Sequence, residues 1–95
     1  MMTFEKLAKL VADDFQITMD NEGFETFNEM RRCYCWEIQD IKDEVQQIIT
    51  NLAEKAWEEN KESFYMSDDC SFVQIGICEE MSWGNFKKLV FSNLK

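Results

Sequence analysis

The chain has no histidine and no proline, and its only glycines are Gly23, Gly76 and Gly84. Without histidine there is no Ser-His-Asp or Cys-His arrangement, no His-bearing zinc site and no ordinary general base near neutral pH. Three scattered glycines form neither a phosphate-binding loop nor a dinucleotide fingerprint. With so few turn residues, long regular elements are favoured over a loop-rich β architecture. No stretch approaches ~18 consecutive apolar residues, and the start Met1-Met2-Thr3-Phe4-Glu5-Lys6 lacks a basic segment followed by an apolar run. A soluble, cytoplasmic protein with no membrane partner is therefore the expectation, and its four cysteines are expected to be reduced and buried or half-buried.

What is present is apolar and aromatic content sufficient for a core: 45% of the 95 residues are apolar and 14% aromatic. That size and content fit one compact domain over residues 1–95. Nineteen acids against ten bases give a net charge of −9. The acids are segmented. Asp13 to Glu29 contains no base, nor does Glu62 to Ser82, whereas the last thirteen residues carry only Lys87, Lys88 and Lys95 as charged groups. Phosphate binding depends on Lys and Arg displacing condensed counterions, so direct nucleic-acid binding is disfavoured.

Thr3 is placed to cap a helix over about Phe4 to Asp14, with Phe4, Leu7, Leu10, Val11 and Phe15 on one face. Phe15 to Met19 reads as a short apolar-polar alternation, and Asp20-Asn21-Glu22-Gly23 as a turn. Thr26-Phe27-Asn28-Glu29 matches a capping box opening a short second helix. Ile41, Val45, Ile48, Leu52 and Ala56 recur in steps of three and four and define a long helix from about Glu37 to Asn60, roughly 36 Å at 1.5 Å per residue. The runs around Phe64-Tyr65-Met66 and Cys70 to Cys78 read as a hairpin with Val73, Ile75 and Ile77 on one face, a helical reading of the second run being the alternative. Ser82 would cap a last helix bearing Trp83, Phe86, Leu89, Val90 and Leu94. The expected fold is α+β, mainly helical, in the order α-α-α-β-β-α.

Cys33, Cys35, Cys70 and Cys78 lack the paired C-x-x-C spacing of a zinc site. Thr18 to Gly23 with Glu29 has the spacing of a calcium loop, but Thr18 replaces its first Asp and a polar turn explains the segment better. Neither catalytic residues nor cofactors are expected. Arg31 and Arg32 beside Tyr34 and Trp36 are read as internal counter-charge with core aromatics, the alternative being an interface anchor.

The long helix carries Glu37, Asp40, Asp43 and Glu44 near its start and Glu54, Glu58, Glu59 and Glu62 near or just past its end. Acids three or four apart on a helix lie about 5–6 Å from one another, close to the spacing of successive phosphates in a nucleic-acid strand. The candidate partner-binding residues are Glu54, Glu58, Glu59 and Glu62, with Asp13, Asp14, Asp20 and Glu22 as a second block; a merely solvated helix face is the competing reading. In size, charge and lack of catalytic groups the chain is similar to small phage-encoded inhibitors of host defence nucleases, among them anti-CRISPR proteins and DNA mimics, a likeness of composition. It implies an inhibitor or adaptor that docks on the basic, nucleic-acid-binding surface of a partner protein, such as a nucleic-acid-processing complex. The alternative is a structural or regulatory interaction module, homodimeric through the Ile41, Val45, Ile48, Leu52 stripe.

Overall fold

In the computed structural model, which describes residues 1–95, a side chain answers a free amide at the start of every helix, from the residue before the helix in α1, α2 and α4 and from the first turn in α3. The Thr3 hydroxyl accepts from the Lys6 amide at 3.1 Å and opens α1, Phe4–Glu22. Thr26 accepts from the Glu29 amide at 3.1 Å and opens α2, Phe27–Cys33, while the Glu29 carboxylate reaches back to the Glu25 amide at 2.9 Å. The Glu37 amide donates to Asp40 at 2.8 Å at the start of α3, Ile38–Asn60. Ser82 accepts from the Asn85 amide at 3.3 Å and opens α4, Trp83–Ser92. Such caps are each worth about 0.5–2 kcal/mol.

The first helix is eight residues longer than the alternation at Phe15 to Met19 implied. Val11, Phe15 and Met19 continue a buried i, i+4 row, and Gln16 is tied to Asp20 at 2.8 Å along the outer face. Gly23, at φ 79°, ends the helix in the left-handed conformation, its amide returning to the Met19 carbonyl. Thr18 to Glu22 are thus helical, so the expected turn at Asp20 to Gly23 shrinks to the glycine alone, and the calcium-loop spacing has no loop to act in.

Between α3 and α4 lie three strands instead of two: β1 Phe64–Met66, β2 Phe72–Ile75 and β3 Glu79–Ser82, antiparallel in the order β1-β2-β3. The mainly helical α+β architecture holds with this strand added. Val73 pairs with both Met66 and Met81, and Ile75 with both Phe64 and Glu79. Val73 and Ile75 face the core, but Gly76 at φ 64° turns the chain, and Ile77, expected on the same face, is 91% exposed. Glu79 and Glu80 keep the β3 edge charged, which discourages edge-to-edge pairing.

One cluster of 21 buried residues runs through the molecule. α1 packs on α4 and α3, α3 backs β1, and α4 closes over β2 and β3. Leu7, Met19, Met30, Ile49, Val73 and Phe86 are fully buried, each contributing on the order of 1.5–3 kcal/mol of transfer free energy. Ile41, Val45 and Ile48 of the predicted stripe are buried as expected, Leu52 and Ala56 half-buried. Two non-glycine residues in the left-handed region flank α3: Cys35 at φ 56° before it and Lys61 at φ 55° after it. A third, Cys70 at φ 58°, sits in the β1–β2 turn. No helix is long and apolar enough to cross a membrane.

Candidate functional site

The two acidic blocks singled out from the sequence are each divided by the helix they stand on. Along α1, Asp13 and Asp20 occupy the outer face, whereas Asp14 and Glu22, together with Thr18, follow one edge in steps of four residues. Asp13 is held by Lys9 at 3.0 Å. Asp14 is not, and it borders a cleft of about 340 Å³ lined by Asp14, Phe15 and Thr18 of α1, Tyr34 and Trp36 of the α2–α3 loop, and Glu44 and Ile48 of α3. The expected block Asp13, Asp14, Asp20, Glu22 is therefore not one surface.

At the far end of α3, Glu58 is exposed on the outer face while Glu59 turns the other way. It joins Lys6, Leu10, Leu52, Lys55, Ala56 and Phe64 around a groove of about 240 Å³. Glu58 and Glu59, expected to act in one block, are about 100° apart around the helix, so although both are exposed only Glu59 stands beside Leu52 and Ala56. Glu54 and Glu62 instead border a second groove, about 310 Å³, beside Trp57 and Phe64. Glu62 is half-buried and pairs with the N-terminal ammonium at 3.3 Å.

The aromatic floor of the α1–α3 cleft is continuous. Tyr34 and Trp36 have ring centroids 5.2 Å apart, Trp36 meets Phe15 edge-on at 6.1 Å, and Phe15 meets Phe27 edge-on at 5.2 Å. Each such pair adds about 0.5–1.5 kcal/mol beyond area burial. Tyr34 is 40% exposed and Trp36 half-buried, so the floor opens to solvent. Arg31, read from the sequence as counter-charge to nearby acids, forms no ion pair; its Nε donates to the Trp36 carbonyl at 3.1 Å and holds the loop that carries the aromatics.

The electrostatics of the cleft are those of an incompletely solvated anionic site. Burial raises the Asp14 carboxyl above its usual value of 3.8. The Tyr34 hydroxyl is raised as well, first by loss of solvent and then by the charge of Glu22 beside it. Glu44, one of the acids near the start of the long helix and not among the candidate binding residues, faces the same cleft. Recognising that α1 continues to Glu22 would have aligned Asp14, Thr18 and Glu22; the approach of Glu44 and Trp36 is tertiary and has no local signal.

The cysteines differ from expectation: Cys33, Cys35 and Cys78 are exposed and only Cys70 is buried. Cys33 and Cys35 lie in or just after the last turn of a seven-residue helix, too short to cover both of them, and Cys78 sits in the turn that follows Gly76. No three cysteine or carboxylate side chains converge on a position that would hold a metal ion. Comparison with family models, curated proteins and solved structures finds no match.

Proposed function

We propose that the protein is a non-catalytic, acidic binding module that docks on the basic, nucleic-acid-binding surface of a partner protein, acting as an inhibitor or adaptor. The observation that carries this reading is the state of the acids: of nineteen carboxylates only Asp13 and Glu62 are in ion pairs, which leaves seventeen without a cationic partner in the chain. Unpaired surface charge of one sign raises association rates with a surface of opposite sign. Two of these acids, Glu54 and Glu58, flank Trp57, which is 57% exposed, and large aromatics beside charge dominate binding interfaces. A cytoplasmic location belongs to the proposal, since three exposed free thiols suit a reducing compartment. The homodimer alternative draws no support from the stripe that suggested it, because Ile41, Val45 and Ile48 are already used in the chain's own core.

The test is a pull-down from host lysate at low and high salt, followed by competition with a DNA or RNA duplex for the recovered partner. Mutually exclusive binding, and slower association of a Glu54→Lys, Glu58→Lys variant with an unchanged melting curve, are the expected results. A partner that holds nucleic acid and this protein at once, with kinetics indifferent to salt and to the reversals, would sink the reading.

A further inference from the structure

The cleft between α1 and α3 combines two features that a merely solvated acidic face does not need. Its floor is an aromatic surface, Tyr34 and Trp36 at 5.2 Å, held open to solvent by a loop that is pinned from both sides: the Trp36 amide donates to the Arg31 carbonyl at 3.0 Å and the Arg31 side chain to the Trp36 carbonyl at 3.1 Å. Its walls carry a carboxylate on each helix, Asp14 and Glu44, and the chain's two ion pairs both lie elsewhere. Apolar aromatic faces left in water together with anions left unneutralised are complementary to one chemical group, a planar, weakly hydrated cation on an apolar stem. A guanidinium stacks on aromatic faces and donates to carboxylates in its plane, which a compact, strongly hydrated ammonium does less well.

We propose that this cleft receives an arginine side chain of the partner protein, the stem lying against Phe15 and Ile48, the guanidinium over Trp36 and Tyr34, and its N–H groups donating to Asp14 and Glu44. The assignment rests on the reading of the protein as a binder of basic surfaces and gives that reading a single anchoring point. Arginine is among the residues that dominate protein interfaces, and one buried in an aromatic, anionic pocket fixes register where general charge attraction cannot. Burial alone raises the Asp14 pKa, a cost that a cation brought into the cleft would offset.

The experiment is a titration of the whole ¹⁵N-labelled chain with N-acetylarginine amide, following the indole N–H signals of Trp36, Trp57 and Trp83. Saturable movement of the Trp36 signal is expected, with a dissociation constant on the order of millimolar, as suits one stacked cation between two carboxylates. The neutral isostere N-acetylcitrulline amide should leave it in place, and an Asp14→Asn, Glu44→Gln variant with a native spectrum should bind more weakly by a factor of about ten. Equal movement of the exposed Trp57 signal, equal response to citrulline or to the lysine amide, or unaltered binding by the variant would overturn the assignment. If the Asp14→Asn, Glu44→Gln variant still captures its partner in a salt-sensitive manner that nucleic acid reverses, the cleft is excluded while the broader function stands.

Discussion

Arg31 and Trp36 are joined twice, by the Trp36 amide to the Arg31 carbonyl at 3.0 Å and by the Arg31 Nε to the Trp36 carbonyl at 3.1 Å. The first bond is set by the backbone and survives substitution; the second belongs to the side chain. Arg31→Met keeps the stem and removes the donor, so it should cost about 1–2 kcal/mol, the range for a charged hydrogen bond that is partly solvated. Urea unfolding measures the loss, and a red-shifted Trp emission in the folded variant would register the freed loop. No change in either would mean that the backbone bond alone holds Trp36.

Asp14 and Asp69 should respond to acid in opposite ways. Asp14 is raised, so the folded chain holds its proton to higher pH than the unfolded chain, and stability falls as pH rises through that window. Asp14→Asn should therefore raise the melting temperature at pH 7, with the gain vanishing as pH falls below about 4. Asp69 is lowered, first by the Ser71 hydroxyl at 2.7 Å, then by the Ser67 hydroxyl at 2.8 Å and the Ser71 amide at 3.1 Å. Its contribution is present above the usual carboxylate value of 3.8 and is lost as pH falls through the lower folded value. Asp69→Asn should lower the melting temperature at pH 7, and the deficit should shrink in acid. Melting curves of both variants from pH 2.5 to 7 decide the signs, at roughly half-unit spacing.

The thiols should separate into three and one. Cys33, Cys35 and Cys78 are exposed, whereas Cys70 is buried and its pKa is raised by that burial and then by the charge of Asp43. Iodoacetamide should add three groups to the native protein within the time it labels a model thiol, and the fourth only in denaturant. Four fast adducts under native conditions would show that the β1–β2 turn opens readily.

Moderate salt should raise the melting temperature. A chain of net charge −9 with only two ion pairs repels itself more than it pairs, and at 0.1 M salt the screening length is about 10 Å. A flat midpoint from low to moderate sodium chloride would contradict this account.

Trp83 is 7% exposed, and its indole N–H finds no acceptor in the protein. Removing a buried donor of this kind recovers about 1–3 kcal/mol, while the smaller ring of phenylalanine loses a comparable amount of packing. Trp83→Phe should therefore lie within ~1 kcal/mol of wild type, in contrast to Phe86→Ala, which should cost about 3–5 kcal/mol. Chemical denaturation of the two variants side by side provides the comparison.

The parts of the fold that were legible in the sequence are those decided locally. Thr3, Thr26 and Ser82 cap because each precedes an apolar periodicity by the right interval, and Ile41, Val45 and Ile48 announce α3 on their own. β3 was hidden because Glu79 and Glu80 have little strand preference; their place follows from the turn at Gly76 and from pairing with Gln74 and Ile75. The C-terminal half of α1 was obscured by Phe-Gln-Ile-Thr-Met, whose alternation matches a strand, although Phe15 and Met19 also stand one helical turn apart. The acidity of the site was plain from composition, but its division between Asp13 and Asp14, or between Glu58 and Glu59, depends on which neighbours the helices meet. The aromatic cleft depends on how α1 packs against α3 and the loop that leads into it, which no local pattern sets.

The left-handed residues that bracket α3 bear on how the surface meets a partner. At Cys35 and Lys61 the chain changes direction through side-chain-bearing residues, for which left-handed geometry is a narrow well, instead of through glycine, which moves freely in and out of it. Glycine at these corners would loosen the segments leading into and out of α3, whose buried Ile41, Val45, Ile48 and Ile49 seat it in the core. With Cys35 and Lys61 it is a fixed beam, so Trp36, Glu44, Glu54 and Trp57 keep their relative places before any encounter. Little conformational entropy then remains to be surrendered on association, and even modest contacts along this helix can appear as affinity.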